Sequence, residues 1–158
     1  MKPKGSTTCL LLLSLLVSLE AAPHDQELGT SFRGSKTQFS FERNKKTLTL
    51  RLNILINGWA VNCARTRAIV WGINRGKEQL GVPPWSKIYI IDLKRAQPMN
   101  HFTRTHGTFG ASFSMDQKMA IVDDDVVDLA TGKVINQIYY MNKLDLETCP
   151  SFPGKQSD

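Results

Sequence analysis

The sequence predicts an all-β protein, an antiparallel sandwich or small barrel of about seven short strands. Three observations predict it. Apolar and polar residues alternate through several short runs, which is the period of a half-buried strand. Turn-forming stretches such as Asn57-Gly58, Gly81-Val82-Pro83-Pro84 and Ala130-Thr131-Gly132-Lys133 punctuate those runs. No segment repeats its apolar residues at the spacing of an amphipathic helix of three or more turns.

The chain opens with Lys2 and Lys4, then an apolar run of about ten residues, Leu10 to Leu19, and Glu20-Ala21-Ala22. A membrane-spanning helix needs roughly 20 apolar residues, so the run reads as a secretory signal peptide over residues 1–21, with cleavage after Ala21. Cleavage there leaves 137 residues, the usual size of one domain. Residues 22–36 mix polar and flexible residues without apolar periodicity and read as a flexible N-terminal arm. A single β-rich domain is expected over 37–150, with a C-terminal tail at 151–158. The expected localisation is secreted and extracellular, without a transmembrane segment.

Within the domain, Thr37 to Glu42 alternates around Phe39 and Phe41. After Arg43-Asn44-Lys45-Lys46, the run Thr47 to Ile56 alternates almost without error, so Leu48, Leu50, Leu52, Ile54 and Ile56 share one face of a sheet. The intervening residues then place Arg43, Lys45 and Lys46 at a hairpin tip. Asn57-Gly58 predicts the next turn, leading into a strand from Trp59 to Trp71 with a bulge or an end near Arg65. Lys87 to Leu93 is β-branched and aromatic, and its partly continuous apolar character suits a central strand. Phe109 to Met115, Lys118 to Val122, Val126 to Leu129 and Val134 to Met141 follow, with Asp123-Asp124-Asp125 as a solvated turn or bulge.

From Lys87 to Gln137, the segments Ile88-Tyr89-Ile90-Ile91-Asp92-Leu93, Phe113 to Lys118 and Val126 to Val134 resemble one blade of a β-propeller repeat, in which a strand ending in Ile-Asp-Leu precedes a Ser-x-Asp-x-Lys turn. The likeness covers about a third of the chain and implies consecutive hairpins, with no functional residue attached to it.

Cys9 leaves with the leader, so Cys63 and Cys149 are the cysteines of the exported chain. An intramolecular Cys63–Cys149 disulfide is expected, against an intermolecular bridge or two free thiols; in the chain-entropy model such a loop is worth roughly 4 to 5 kcal/mol. No Asn-x-Ser/Thr glycosylation site occurs.

Charge is unevenly spread. From Arg33 to Arg104, fourteen Lys and Arg stand against three acids, whereas from Thr105 onward four Lys stand against eight acids. This predicts either a basic surface for an anionic partner or two halves that attract each other. The candidate contacts are Arg43, Lys45, Lys46, Arg51, Arg65 and Arg67, with Trp59 and Trp71 as aromatic anchors. An extracellular protein receptor or a sulfated glycan fits as partner, and nucleic acid does not suit an exported chain. His101 and His106 lack metal-ligand spacing, and Asp123 to Asp125 lack the pattern of a calcium loop, so no metal is assigned. No catalytic residue is assigned either, because no nucleophile elbow, paired glutamates or nucleotide-binding glycine motif occurs, and no cofactor is expected. The dibasic pairs Lys45-Lys46 and Lys94-Arg95 adjoin patterned strands and so read as parts of a folded domain, not as hormone-precursor cuts. A secreted, non-enzymatic binding protein is therefore expected. The alternative is a carrier of a small apolar ligand lined by the Leu48 to Ile56 face.

Overall fold

The computed structural model describes residues 28–74, 85–136 and 144–148. The leader over 1–21 and the tail over 151–158 lie outside the described residues, as does Cys149. Eleven strands form three antiparallel sheets. The first holds β1 (Leu28–Ser35), β2 (Gln38–Arg43) and β3 (Lys46–Arg51). The second holds β4 (Ile54–Val61), β5 (Arg67–Asn74), β6 (Ser86–Asp92) and β7 (Gln97–Arg104). The third holds β8 (Ala111–Phe113), β9 (Met119–Val122), β10 (Asp125–Asp128) and β11 (Val134–Asn136). Every sheet is a meander in which strands pair in chain order. Among the described residues there is no helix, and the sheets do not close into a barrel. The expected two-layer or barrel arrangement of about seven strands thus gives way to three sheets and more, shorter strands.

The second sheet is apolar on both faces. Ala68, Val70, Tyr89 and Ile91 join one core with Phe39, Phe41, Leu52, Ile54, Ile56, Trp59 and Val61, against which Phe32, Leu48 and Leu50 of the first sheet also pack. Ile69, Trp71, Ile88 and Ile90, at the alternate positions, join a second core with Phe113, Ala120, Val122, Val127 and Leu129 of the third sheet. Two-sided burial is why β5 and β6 read as continuous apolar runs, whereas β2 and β3 alternate. The outward face of the first sheet is polar: Arg33, Ser40 and Thr49 lie in one cross-strand row, with Ser40 and Thr49 hydrogen-bonded at 2.9 Å.

Four expectations need correction. Residues 28–35 of the presumed flexible arm form β1, because Phe32 and Gly34 face inward and the Phe32 ring stacks on Phe39 and Phe41 at 6.4 and 6.5 Å. The run Thr47 to Ile56 is not one strand; it breaks at Leu52-Asn53 and feeds two sheets, while its apolar residues keep the same phase toward one core. Asn57-Gly58 is a bulge inside β4, not a turn. Ile56 pairs with Gly72 and Gly58 with Trp71, so Asn57 is the extra residue, and the inward phase moves from Ile54 and Ile56 to Trp59 and Val61. The single strand expected from Trp59 to Trp71 is a hairpin that turns at residues 62–66, the alternative expected near Arg65.

Backbone approach explains two glycines. A Cβ on Gly72 would lie 1.9 Å from the Leu55 carbonyl oxygen, and one on Gly58 would lie 2.6 Å from the Trp71 ring. Pro98 is accommodated because β7 is an edge strand and the β6–β7 register shifts beside it. Gly72→Ala should therefore destabilise the protein by about 3 kcal/mol through forced separation of β4 and β5. Denaturant unfolding of the purified variant measures it, and an unchanged midpoint would contradict the packing described.

Candidate functional site

Three turns meet at one end of the first two sheets. The β2–β3 loop is Asn44-Lys45, closed by the Arg43–Lys46 pair, and both loop residues are left-handed, at φ 51° and 59°. This is the two-residue hairpin whose twist matches its strands. The β4–β5 turn spans 62–66 and contains Arg65 at φ 54°; the β6–β7 turn spans 93–96 and contains Ala96 at φ 53°. The β6–β7 turn is the hub. Leu93 N–H donates to the Thr66 carbonyl at 3.0 Å on one side. On the other side, the Arg43 guanidinium donates to the carbonyls of Leu93, at 3.4 Å, and Lys94. Arg43, Lys45, Lys46, Arg65, Arg67, Lys94 and Arg95 thereby share one end of the molecule.

Among the described residues few acids lie on these turns. Asp92 is a buried exception: it pairs with Arg67 at 3.2 Å and accepts the Arg95 N–H at 2.9 Å, so its charge is spent inside the turn system. Lys45, Lys46, Lys94 and Arg95 are exposed.

The third sheet abuts the far side of the β4–β5 turn and reverses the charge. Asn62, fully buried, accepts the N–H groups of Thr66 and Arg67 at 2.8 Å each and donates to Gln117 Oε1 at 3.0 Å, which ties its turn to the β8–β9 turn. Cys63 N–H donates to the Glu147 carboxylate at 2.8 Å. Glu147 is held because its N–H donates to the Phe113 carbonyl and the Met115 N–H donates to that of Asp145, laying 145–147 along the free edge of β8. Asp116, Asp145 and Glu147 thus flank the basic turns.

The opposite end carries a different cluster. Asp123 and Asp124 form the β9–β10 turn and Asp125 opens β10. All three carboxylates meet Arg104, at 3.1 Å for Asp123 and 3.3 Å for Asp125, and the Arg104 side chain is 4% exposed. Arg104 also donates to the Val122 carbonyl at 2.7 Å and contacts the His106 ring, while Asp123 accepts the N–H groups of Phe109 and Gly110 at 3.0 Å. The triplet is therefore not merely a solvated turn: it clamps a buried cation and holds the loop that precedes β8. His101 instead packs on the Tyr89 ring at 5.5 Å. Among the described residues no three His, Cys, Asp or Glu side chains are placed to hold a metal ion.

Of the contacts expected from sequence, Arg43, Lys45, Lys46, Arg65 and Arg67 come together. Arg51 does not, because it ends β3 while the tip begins it, roughly 17 Å away at the rise of a strand. Trp59 and Trp71 are 5% and 7% exposed and belong to the two cores, so neither offers a ring to a partner. Trp59 meets Phe39 edge-on at 6.1 Å. Lys94 and Arg95 were missing from the expected site; their signal was a dibasic pair just past the strongest β-strand. Arg104 gave no signal, since nothing in the spacing links it to the acids nineteen to twenty-one residues on.

The Arg104 guanidinium holds the Asp124 carboxyl below its usual range. Thr131 backbone and hydroxyl donors do the same for Asp128, as do the Ser114 hydroxyl and Lys118 N–H for Asp116. Lowered carboxylate pKa values stabilise the fold above the unfolded value of about 3.9, and this is lost as pH falls through the folded values. Stability should hold from neutrality to about pH 5 and decline below about pH 4. Arg104→Met should cost about 3 kcal/mol or more by leaving Asp123 and Asp125 without their cation, and should flatten the acid limb because Asp124 loses the contact that lowers its pKa. Denaturant midpoints across pH measure both, and an identical acid limb in the variant would contradict the clamp. Compared with known proteins, the chain matches no family model and no curated protein.

Proposed function

We propose that this chain is an exported, non-enzymatic recognition protein that takes an anionic partner on the basic end of its first two sheets. The observation that carries the reading is the convergence of three turns from two sheets on the Leu93 and Lys94 backbone, which gathers cations from positions 43 to 95 into one surface. Such a surface steers an anion by its summed field. The carrier alternative has less support, because Leu52, Ile54 and Ile56 are packed against Phe39, Phe41 and Trp59. Export rests on the leader at residues 1–21. A Cys63–Cys149 disulfide belongs to the same proposal: Cys63 N–H bonds to Glu147, two positions before Cys149, within the reach of two extended residues.

Two measurements test this. Lys45→Glu with Lys46→Glu, both exposed at a hairpin tip, should leave the melting temperature unchanged and weaken binding to immobilised heparin, used as a general polyanion, by about tenfold or more at low salt. Wild-type retention should fall steeply as salt is raised. Binding that ignores both salt and the charge reversal would overturn the basic surface. Mass measurement of the secreted chain after alkylation, with and without reduction, should show a cut leader and one bridge; two alkylated thiols without reduction would remove the disulfide.

A further inference from the structure

We infer that the partner of the basic end is a linear sulfated glycan lying across all three turns. The inference rests on the anionic reading above and names its chemistry.

The cations form a row, not a pocket. The β4–β5 and β6–β7 turns lie two strands apart in one sheet, and the β2–β3 tip lies on the sheet stacked against it, so the row is a bent path of roughly 20 Å at ordinary strand and sheet spacings. A single small anion covers only part of that path. A polymer carrying charge at intervals touches all three and gains from each contact after the first, which becomes intramolecular.

The row is also bounded. Beyond the β4–β5 turn stand Asp116, Asp145 and Glu147, which repel a polyanion and end its track.

The three basic turns themselves carry no exposed large apolar side chain; Met115 and Leu146 stand among the acids beyond the β4–β5 turn. Among the described residues the exposed large apolar side chains are Phe109, Met115, Val134, Ile135 and Leu146, and none lies on the three basic turns. A lipid surface recruits apolar groups beside its basic ones, and a protein partner needs buried aromatic anchors, a role that Trp59 and Trp71 in the cores do not fill. A hydrophilic chain of fixed sulfate charges demands neither.

The turns keep charge where glycine fits better. Lys45 and Arg65 sit at φ 59° and 54°, conformations that a non-glycine residue adopts with strain. Glycine at position 45 would relieve it and delete a contact.

The test is a titration of the full secreted chain with heparin oligosaccharides of graded length. The expected result is affinity that rises by about 100-fold between a fragment reaching one turn and one spanning all three, and then levels off. Lys94→Glu with Arg95→Glu reverses the hub while sparing its backbone bonds, and should reduce the long chain to the affinity of the short one. Lys45→Gly should hold or raise the melting temperature and weaken the long chain several-fold. Arg51→Glu, exposed at the end of β3 away from the tip, should change nothing. Equal binding of desulfated heparin, polyglutamate, single-stranded DNA or phosphatidylserine vesicles would overturn the glycan while leaving an anion-binding surface standing, as would affinity independent of length. Failure to bind any of these polyanions at low salt would remove both.

Discussion

The structure depends on the double burial of the β4–β7 sheet. With apolar side chains on both faces, β5 and β6 cannot be stable unless something covers each side, and the first and third sheets are what covers them. The inward phases of the outer sheets follow from that demand: Phe39 and Phe41 meet Val70 and Ile91 on one side, and Phe113, Val122 and Val127 meet Ile69 and Ile90 on the other. Burial of apolar area is the main favourable term in folding, and here it is split into two cores with one sheet in common. Damage to β5 or β6 is consequently felt in both.

The same constraint positions the turns. Because β4 to β7 run as a meander, both of its hairpin turns, 62–66 and 93–96, emerge at one end; because the first sheet packs on that meander, the β2–β3 tip reaches the same end. Polar groups fix the turns to one another. Asn62 is buried and replaces missing ladder bonds with its own carbonyl and amide groups, which is why a polar side chain is tolerated there. Asp92 performs a similar service for Arg67 and the Arg95 N–H. The uneven charge of the sequence becomes a polarised end, basic on two sheets and acidic where the third adjoins them.

Much of this was legible in local pattern, and the failures have physical causes. The hairpin tip at Arg43 to Lys46 was legible because a two-residue loop between alternating runs permits few other arrangements. The phase of Leu48 to Ile56 was legible, but the break at Leu52-Asn53 was not, since a chain that leaves one sheet and enters another while facing the same core leaves its periodicity intact. Asn57-Gly58 misled because the features that suit a turn, a small residue and relaxed backbone, also suit a bulge beneath Trp71. β1 escaped notice because its glycines look like those of a linker, although Gly34 is what lets the Trp59 ring approach. Partnerships across long separations, such as Arg104 with the aspartates or Cys63 with Glu147, are made by the fold and leave no mark in spacing.

The polar outer face of the first sheet has a bearing on assembly. The row of Arg33, Ser40 and Thr49 offers a neighbouring sheet no greasy surface to cover, so a further layer cannot be added there as the first was added to the second. A layer stacked there would gain no apolar burial of the kind that joins the first sheet to the second.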